Sequence, residues 1–187
     1  MKYLLLSLLT LNACASYTHR GINVYDKQVD TDLTQKQAEK IIDYAFQEPA
    51  WKDILSGPMA IFEDSIDQTD GFYAQFFEQM FDGWDFVFTS AWLGVPLSDG
   101  RMALADGMTI VKDKVVFLKV HDCYGDSAIL HEIGHVVRQH FGLPEDREHK
   151  DYEFWMIMKW MEDRMIDHFC PENYQREPLP QKVKVAQ

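Results

Sequence analysis

Basic residues are scarce in this chain: 18 lysines and arginines stand against 30 aspartates and glutamates, for a formal charge of −12 at neutral pH. Such a surface repels phosphate backbones and anionic head groups. It excludes nucleic acid as a main partner, and it excludes membrane binding through a basic face. Long apolar runs are lacking as well. The one candidate, Tyr3 to Leu11, is too short to span a bilayer as a stable helix. Internal repeats and low-complexity segments are absent, and cysteine is limited to three residues. What is present, 47% hydrophobic and 13% aromatic residues in 187, argues against disorder and suffices for one compact domain with a sizeable core.

The N-terminus reads as a processing segment. Met1-Lys2 gives a short positive region, Tyr3 to Leu11 an apolar one, and Leu11-Asn12-Ala13-Cys14 ends it. This resembles the lipobox of bacterial lipoproteins, with Leu at −3, a small residue at −1 and Cys at +1. The resemblance implies a signal peptide over 1–13, lipid attachment at Cys14 and anchorage in the bacterial cell envelope. Ala15, rather than an acid, leans the expected address towards the outer membrane. Residues 14–33 are polar and are expected to form a tether, with a domain over 34–177 and a flexible tail over 178–187. Cys123 and Cys170 are then left over. An even pair in an oxidising compartment invites a disulfide, two buried thiols being the other reading.

Local patterns predict the elements. Thr34 and Gln37 form a capping-box pattern ahead of Ala38, Ile41, Ile42, Ala45 and Phe46 at helical spacing, and Glu48-Pro49 ends that helix. Trp51 to Phe62, broken by Gly57-Pro58, is ambiguous. Phe72 to Phe81 reads as a helix with an aromatic core stripe, and Asp85 to Thr89 as a short buried strand. Turn residues cluster from Gly94 to Gly107. Met108 to Val111 and Val115 to Leu118 read as a hairpin. Two helices follow, Ala128 to Phe141 with Asp126 or Ser127 as cap, and Lys150 to Phe169. The order implies an α+β fold.

The penultimate helix carries His131-Glu132-Ile133-Gly134-His135. Histidines at i and i+4 project from one helix face, where both imidazoles reach one tetrahedral zinc ion. The five residues match the HExxH signature of zincin metallopeptidases. The resemblance implies a zinc-dependent peptidase with a peptide or protein substrate, in a small zincin-like domain whose HExxH helix packs against a following ligand helix and a small antiparallel sheet. Glu132 would take a proton from zinc-held water, and an edge strand, here Val115 to Val120, would pair with extended substrate.

A catalytic zinc needs a third protein ligand. The metzincin position for it is Phe141, with Arg138 at that pattern's glycine, and His140 falls on another helix face. The gluzincin pattern instead implies an acid on the following helix, where Asp151, Glu153, Glu162 and Asp163 are available. Glu162 falls within the apolar face formed by Trp155, Met158, Met161, Met165, Ile166 and Phe169, an expensive place for a carboxylate that binds nothing. An antiparallel pairing of the two helices also sets Glu162 level with His131 and brings Cys123 close to Cys170. The expected metal ligands are therefore His131, His135 and Glu162, with Asp151 or Glu153 open as alternatives. Tyr152, Tyr174, His149 and His168 are candidates by type for a hydrogen-bonding or oxyanion-stabilising role. A non-catalytic envelope binding module of the same fold, or a structural lipoprotein, are the competing readings.

Overall fold

The structure, a computed structural model, describes residues 17–25, 33–56, 72–96, 102–144, 146 and 149–178. The lipobox with Cys14, the residues around Gly57-Pro58 and the tail from 179 onwards lie outside these. Among the described residues the chain is mixed α+β, with a five-stranded sheet, a two-stranded sheet and five α-helices.

A hairpin of β1 (Tyr17–His19) and β2 (Ile22–Tyr25) comes first. It lies within the stretch expected to be a tether. Arg20 and Gly21 both take positive φ, +48° and +78°, the conformation a two-residue hairpin turn demands. Ile22 and Val24 are buried, and Arg20 pairs with Asp43 and Glu78 on two helices. Two apolar side chains on one strand face are enough to bind a polar-looking segment to the sheet.

The helix α1 (Gln35–Gln47) begins at the expected capping box. Thr34 Oγ1 accepts from the Gln37 N–H at 3.3 Å, and Gln37 Oε1 accepts from the Thr34 N–H at 2.9 Å. Its buried residues are the five that the periodicity selects. The ambiguous stretch opens with a short helix, α2 (Trp51–Ser56), held by the Trp51 indole N–H donating to the Ala45 carbonyl at 2.7 Å. The aromatic stripe of α3 (Phe72–Met80) is core: the Phe77 ring lies 5.5 Å from Phe46 and 4.7 Å from Trp51.

The remaining strands are β3 (Asp85–Thr89), β4 (Leu93–Pro96), β5 (Met102–Ala105), β6 (Gly107–Ile110) and β7 (Val115–Lys119). β4 and β5 pair by themselves, while the main sheet runs β1-β2-β3-β7-β6. The expected hairpin is present as β6 and β7, joined by a 3₁₀ turn over Val111–Asp113. Two expectations need correction. The sheet is not a small antiparallel one, since β2, β3 and β7 run parallel through its centre. Phe86, Val87 and Phe88 are all buried, which suits a strand covered on both faces. For the same reason β7 is not the edge. Val115, Val116 and Leu118 need cover on both sides, so β7 lies between β3 and β6, and β6 is the end strand.

The last two helices are α4 (Ile129–His140) and α5 (Tyr152–Phe169). Ala128, not Asp126 or Ser127, occupies the position before α4, although Ser127 Oγ accepts the Ile129 N–H at 3.3 Å. Gly134 sits at the crossing. A Cβ there would come 2.7 Å from Met158 Sδ, so glycine is what lets α4 approach α5. Cys123, ahead of α4, and Cys170, at the end of α5, form a disulfide with Cα atoms 5.7 Å apart. No helix among the described residues is long and apolar enough to cross a membrane.

The disulfide closes a loop over a sequence separation of 47 residues, which by chain entropy is worth about 4 kcal/mol. Replacing both cysteines by serine is expected to lower the unfolding free energy by that order in urea titrations. The reductant-treated wild type should behave alike.

Candidate metal centre

One turn of α4 separates His131 and His135, and their Nε2 atoms lie 3.2 Å apart. Two metal–nitrogen bonds of about 2.0–2.1 Å at a tetrahedral angle put the nitrogens about 3.3 Å apart, so this pair has the spacing of one edge of a coordination tetrahedron. His149, from the loop between α4 and α5, completes the group. Its ligand atom and those of His131 and His135 all fall within 4.8 Å of one another. Three convergent imidazoles are a donor set that suits zinc, copper, iron or nickel. Burial, then the neighbouring His135 and His149 and the charge of Arg176, pushes the His131 pKa down to about 3. Its ring is therefore neutral and has a lone pair to give. His149 is lowered too, chiefly by burial.

Trp155 on α5 is the platform under all three rings. Its centroid lies 4.7 Å from His131, 4.7 Å from His135 and 4.3 Å from His149. Its indole N–H donates to Asp146 Oδ2 at 2.8 Å. Asp146 also accepts the backbone N–H groups of Lys150 and Asp151, both at 2.8 Å, while its own carbonyl accepts the His149 N–H at 3.2 Å. Burial slightly opposes ionisation of Asp146, but these donors outweigh it and hold the carboxyl at about 2. Between them Asp146 and Trp155 fold the loop back on the helix pair, with His149 at a left-handed φ of +52°. Arg138 adds a further tie by pairing with Asp151, which also caps α5.

The side chain that the structure brings to the histidine pair is thus His149, where the sequence pointed to Glu162. Glu162 is buried on α5 but outside the converging group, with Oε2 3.7 Å from Arg176 Nη1. Burial raises its pKa to about 7, Arg176 opposing and Asp106 reinforcing. The expected pairing of helix ends is present, as the disulfide shows. The face of α5 that meets the two histidines, however, is taken by the Trp155 ring. A loop residue then reaches the site from outside the helix pair, where helical periodicity gives no signal. Of the other candidates, Glu153 is exposed and Asp151 is spent on capping and on Arg138. Asp163 pairs with Lys159 at 3.0 Å and Tyr152 is exposed. The Tyr174 hydroxyl donates to Asp126 at 2.8 Å, and the His168 ring lies 5.3 Å from Tyr44.

Glu132 points from α4 onto the end strand. Thr109 Oγ1 donates to its Oε2 at 2.7 Å, and a Cβ on Gly107 would come 2.4 Å from Oε1. Only a glycine at 107 leaves the carboxyl room beside β6. Burial raises the Glu132 pKa to about 8; the Thr109 hydrogen bond works against this, and the charges of Asp106 and Glu162 add to it. Compared with known proteins, the chain matches no family model, no curated protein and no solved structure.

Two outcomes follow. In zinc competition titrations, His149→Ala is expected to lose most of the affinity and Glu162→Ala to retain it. Asp146→Ala should weaken binding by about 10- to 100-fold, as loss of a ligand-orienting partner does. The second concerns pH. Glu132 and Glu162 ionise near an ordinary 4.5 when unfolded and at about 8 and 7 in the fold, so their contribution to stability is full below 4.5 and lost as pH rises through those values. His131, shifted the other way, acts only below about 6.5. Metal-free protein is expected to melt at a lower temperature at pH about 8.5 than at about 6.5, and Glu162→Gln to flatten that slope.

Proposed function

We propose that this protein is a zinc-dependent peptidase of the bacterial cell envelope, tethered by lipid at Cys14 and acting on peptide or protein substrates. The observation that carries the reading is the convergence of three imidazoles, two of them on the helix that also bears the buried Glu132. The donor set departs from the gluzincin acid pattern by using His149, and these three side chains would hold zinc while leaving it room to take substrate or water. Bound there, zinc supplies Lewis acidity and brings the pKa of water down to about 7.

The residues of the chain do the rest. Glu132 is the proton carrier. Its high pKa in the metal-free fold belongs to a buried carboxyl among other acids, and a divalent cation held by the imidazoles would favour the ionised form that accepts a proton. Thr109 holds one oxygen of that carboxyl and so fixes the direction in which the proton leaves and returns. β6 offers its outer edge, which pairs with no other strand among the described residues, so an extended substrate can add alongside Glu132 as a further strand. The strongly acidic surface is consistent with an absence of nucleic-acid partners.

The purified full chain is expected to carry one zinc per molecule by elemental analysis. Glu132→Gln should keep that zinc and lose turnover by about 100-fold or more, the usual weight of a general base. Gly107→Ala, by displacing the same carboxyl, should reduce turnover with zinc retained. A wild type without stoichiometric metal, or a Glu132→Gln variant as active as wild type, would overturn the reading.

A further inference from the structure

Attack on a carbonyl makes its oxygen anionic, and a donor fixed beside that oxygen is worth much in rate. The aromatic hydroxyls near the end of the domain do not offer it: Tyr174 gives its O–H to Asp126, and Tyr152 faces solvent. We propose that Arg176, in the segment following α5, holds the oxygen that becomes anionic in the proposed peptidase reaction. This rests on the peptidase reading above.

Three acids brace the guanidinium. Its Nε lies 2.9 Å from Asp126 Oδ1 and its Nη2 lies 3.4 Å from Asp106 Oδ2. The third contact, Nη1 to Glu162 Oε2, is 3.7 Å, beyond hydrogen-bond reach, so this corner of the fork keeps donors for another acceptor. The side chain is 34% exposed, while those of Asp126 and Glu162 are 0% and 10% exposed. The group is therefore held from behind and open on one side.

Its place relative to the site follows from the acids it touches. Asp106 and Glu162, which flank Arg176, are the acids whose charges bear on Glu132. The charge of Arg176 is also felt at His131. Distances give the same placement: Asp106, which Arg176 reaches at 3.4 Å, adjoins Gly107, and a Cβ on Gly107 would come 2.4 Å from Glu132 Oε1.

The segment that carries it is fastened at several points. Cys170 is bonded to Cys123, the Tyr174 N–H donates to the Pro171 carbonyl at 2.8 Å, and Glu177 pairs with Lys119 at 2.8 Å. Lys119 is itself buried, its ammonium 4.4 Å from the Trp92 ring centre. A donor that needs no reorganisation at the moment of reaction is what electrostatic stabilisation requires. A counter-ion for buried acids needs only its charge, whereas an oxyanion holder needs the N–H donors at the Nη1 corner, and that difference can be measured.

The experiment uses the full-length chain loaded with zinc, and a quenched fluorogenic peptide picked by the wild type from a mixed library. Arg176→Gln is expected to keep its zinc and lose kcat by about 100- to 1000-fold. KM should stay within about threefold. Arg176→Lys, which keeps the charge without the planar fork, should fall between the two and guards against a Gln variant that does not fold. A second readout is independent of turnover. Inorganic phosphate, a tetrahedral oxyanion, should perturb the visible spectrum of the cobalt-substituted protein, and Arg176→Gln should weaken its affinity by about tenfold or more. Unchanged kcat and phosphate affinity would overturn the assignment, as would a loss confined to KM. If the wild type takes up metal but shows no turnover, the peptidase reading fails and the phosphate titration alone decides on an anion-holding Arg176. A wild type that takes up no metal sinks both.

Discussion

The indole of Trp155 is the joint on which site and scaffold both depend. It is nearly buried between α4 and α5, and three imidazoles rest against it. Its single polar atom is tied to Asp146, the same carboxylate that gathers the backbone of the loop bearing His149. An aromatic residue with an N–H is suited to this work. Its faces supply apolar area to the rings above while its edge supplies a directional bond to the loop. Gly134 makes the arrangement feasible, because only without a Cβ can α4 settle close enough to α5 for both histidines to meet the ring.

A second constraint is electrostatic. The chain is acidic throughout, yet it buries Glu132, Glu162 and Asp126 on one side of the domain. Removing carboxylates from water is costly unless cations or donors meet them. The fold answers with Arg176, with the hydroxyls of Thr109 and Tyr174 and, in the proposed holoprotein, with a divalent cation. The two glutamates are pushed towards their neutral forms in its absence. In that proposed holoprotein metal uptake would be linked to proton release, as is general where the ligands and their neighbours change protonation. The disulfide and the Glu177–Lys119 pair keep the segment carrying Arg176 in place at the end of the domain.

Much of this architecture is legible in local patterns. The capping box at Thr34 and the periodicity of α1, the aromatic stripe of α3, the hairpin of β6 and β7 and the two final helices all follow from nearest neighbours in the chain. So does the meeting of Cys123 with Cys170, which needs only helix rise and a reversal between the helices. The role of residues 17–25 is less legible. Their apolar content is small, and the partner that makes them a hairpin of the sheet, β3, lies some sixty residues further on. Which strand stands at the edge is likewise settled by what covers each face of β7 and not by the strand's own composition.

For the candidate metal centre the division is sharp. Spacing alone put His131 and His135 on one face with Glu132 beside them, because one helical turn fixes those directions whatever the rest of the chain does. The third imidazole of the group obeys no such local rule. His149 reaches the group through a left-handed backbone turn, two donor bonds to Asp146 and the ring of Trp155, contacts made only when α4 and α5 have packed. Glu162 was conspicuous as a carboxylate on an apolar helix face. Its buried position has a use that periodicity does not reveal, facing an arginine from beyond the helix. Short-range geometry is set by the covalent chain, whereas the closure of a site by a loop is set by packing, and packing exists only in the folded molecule.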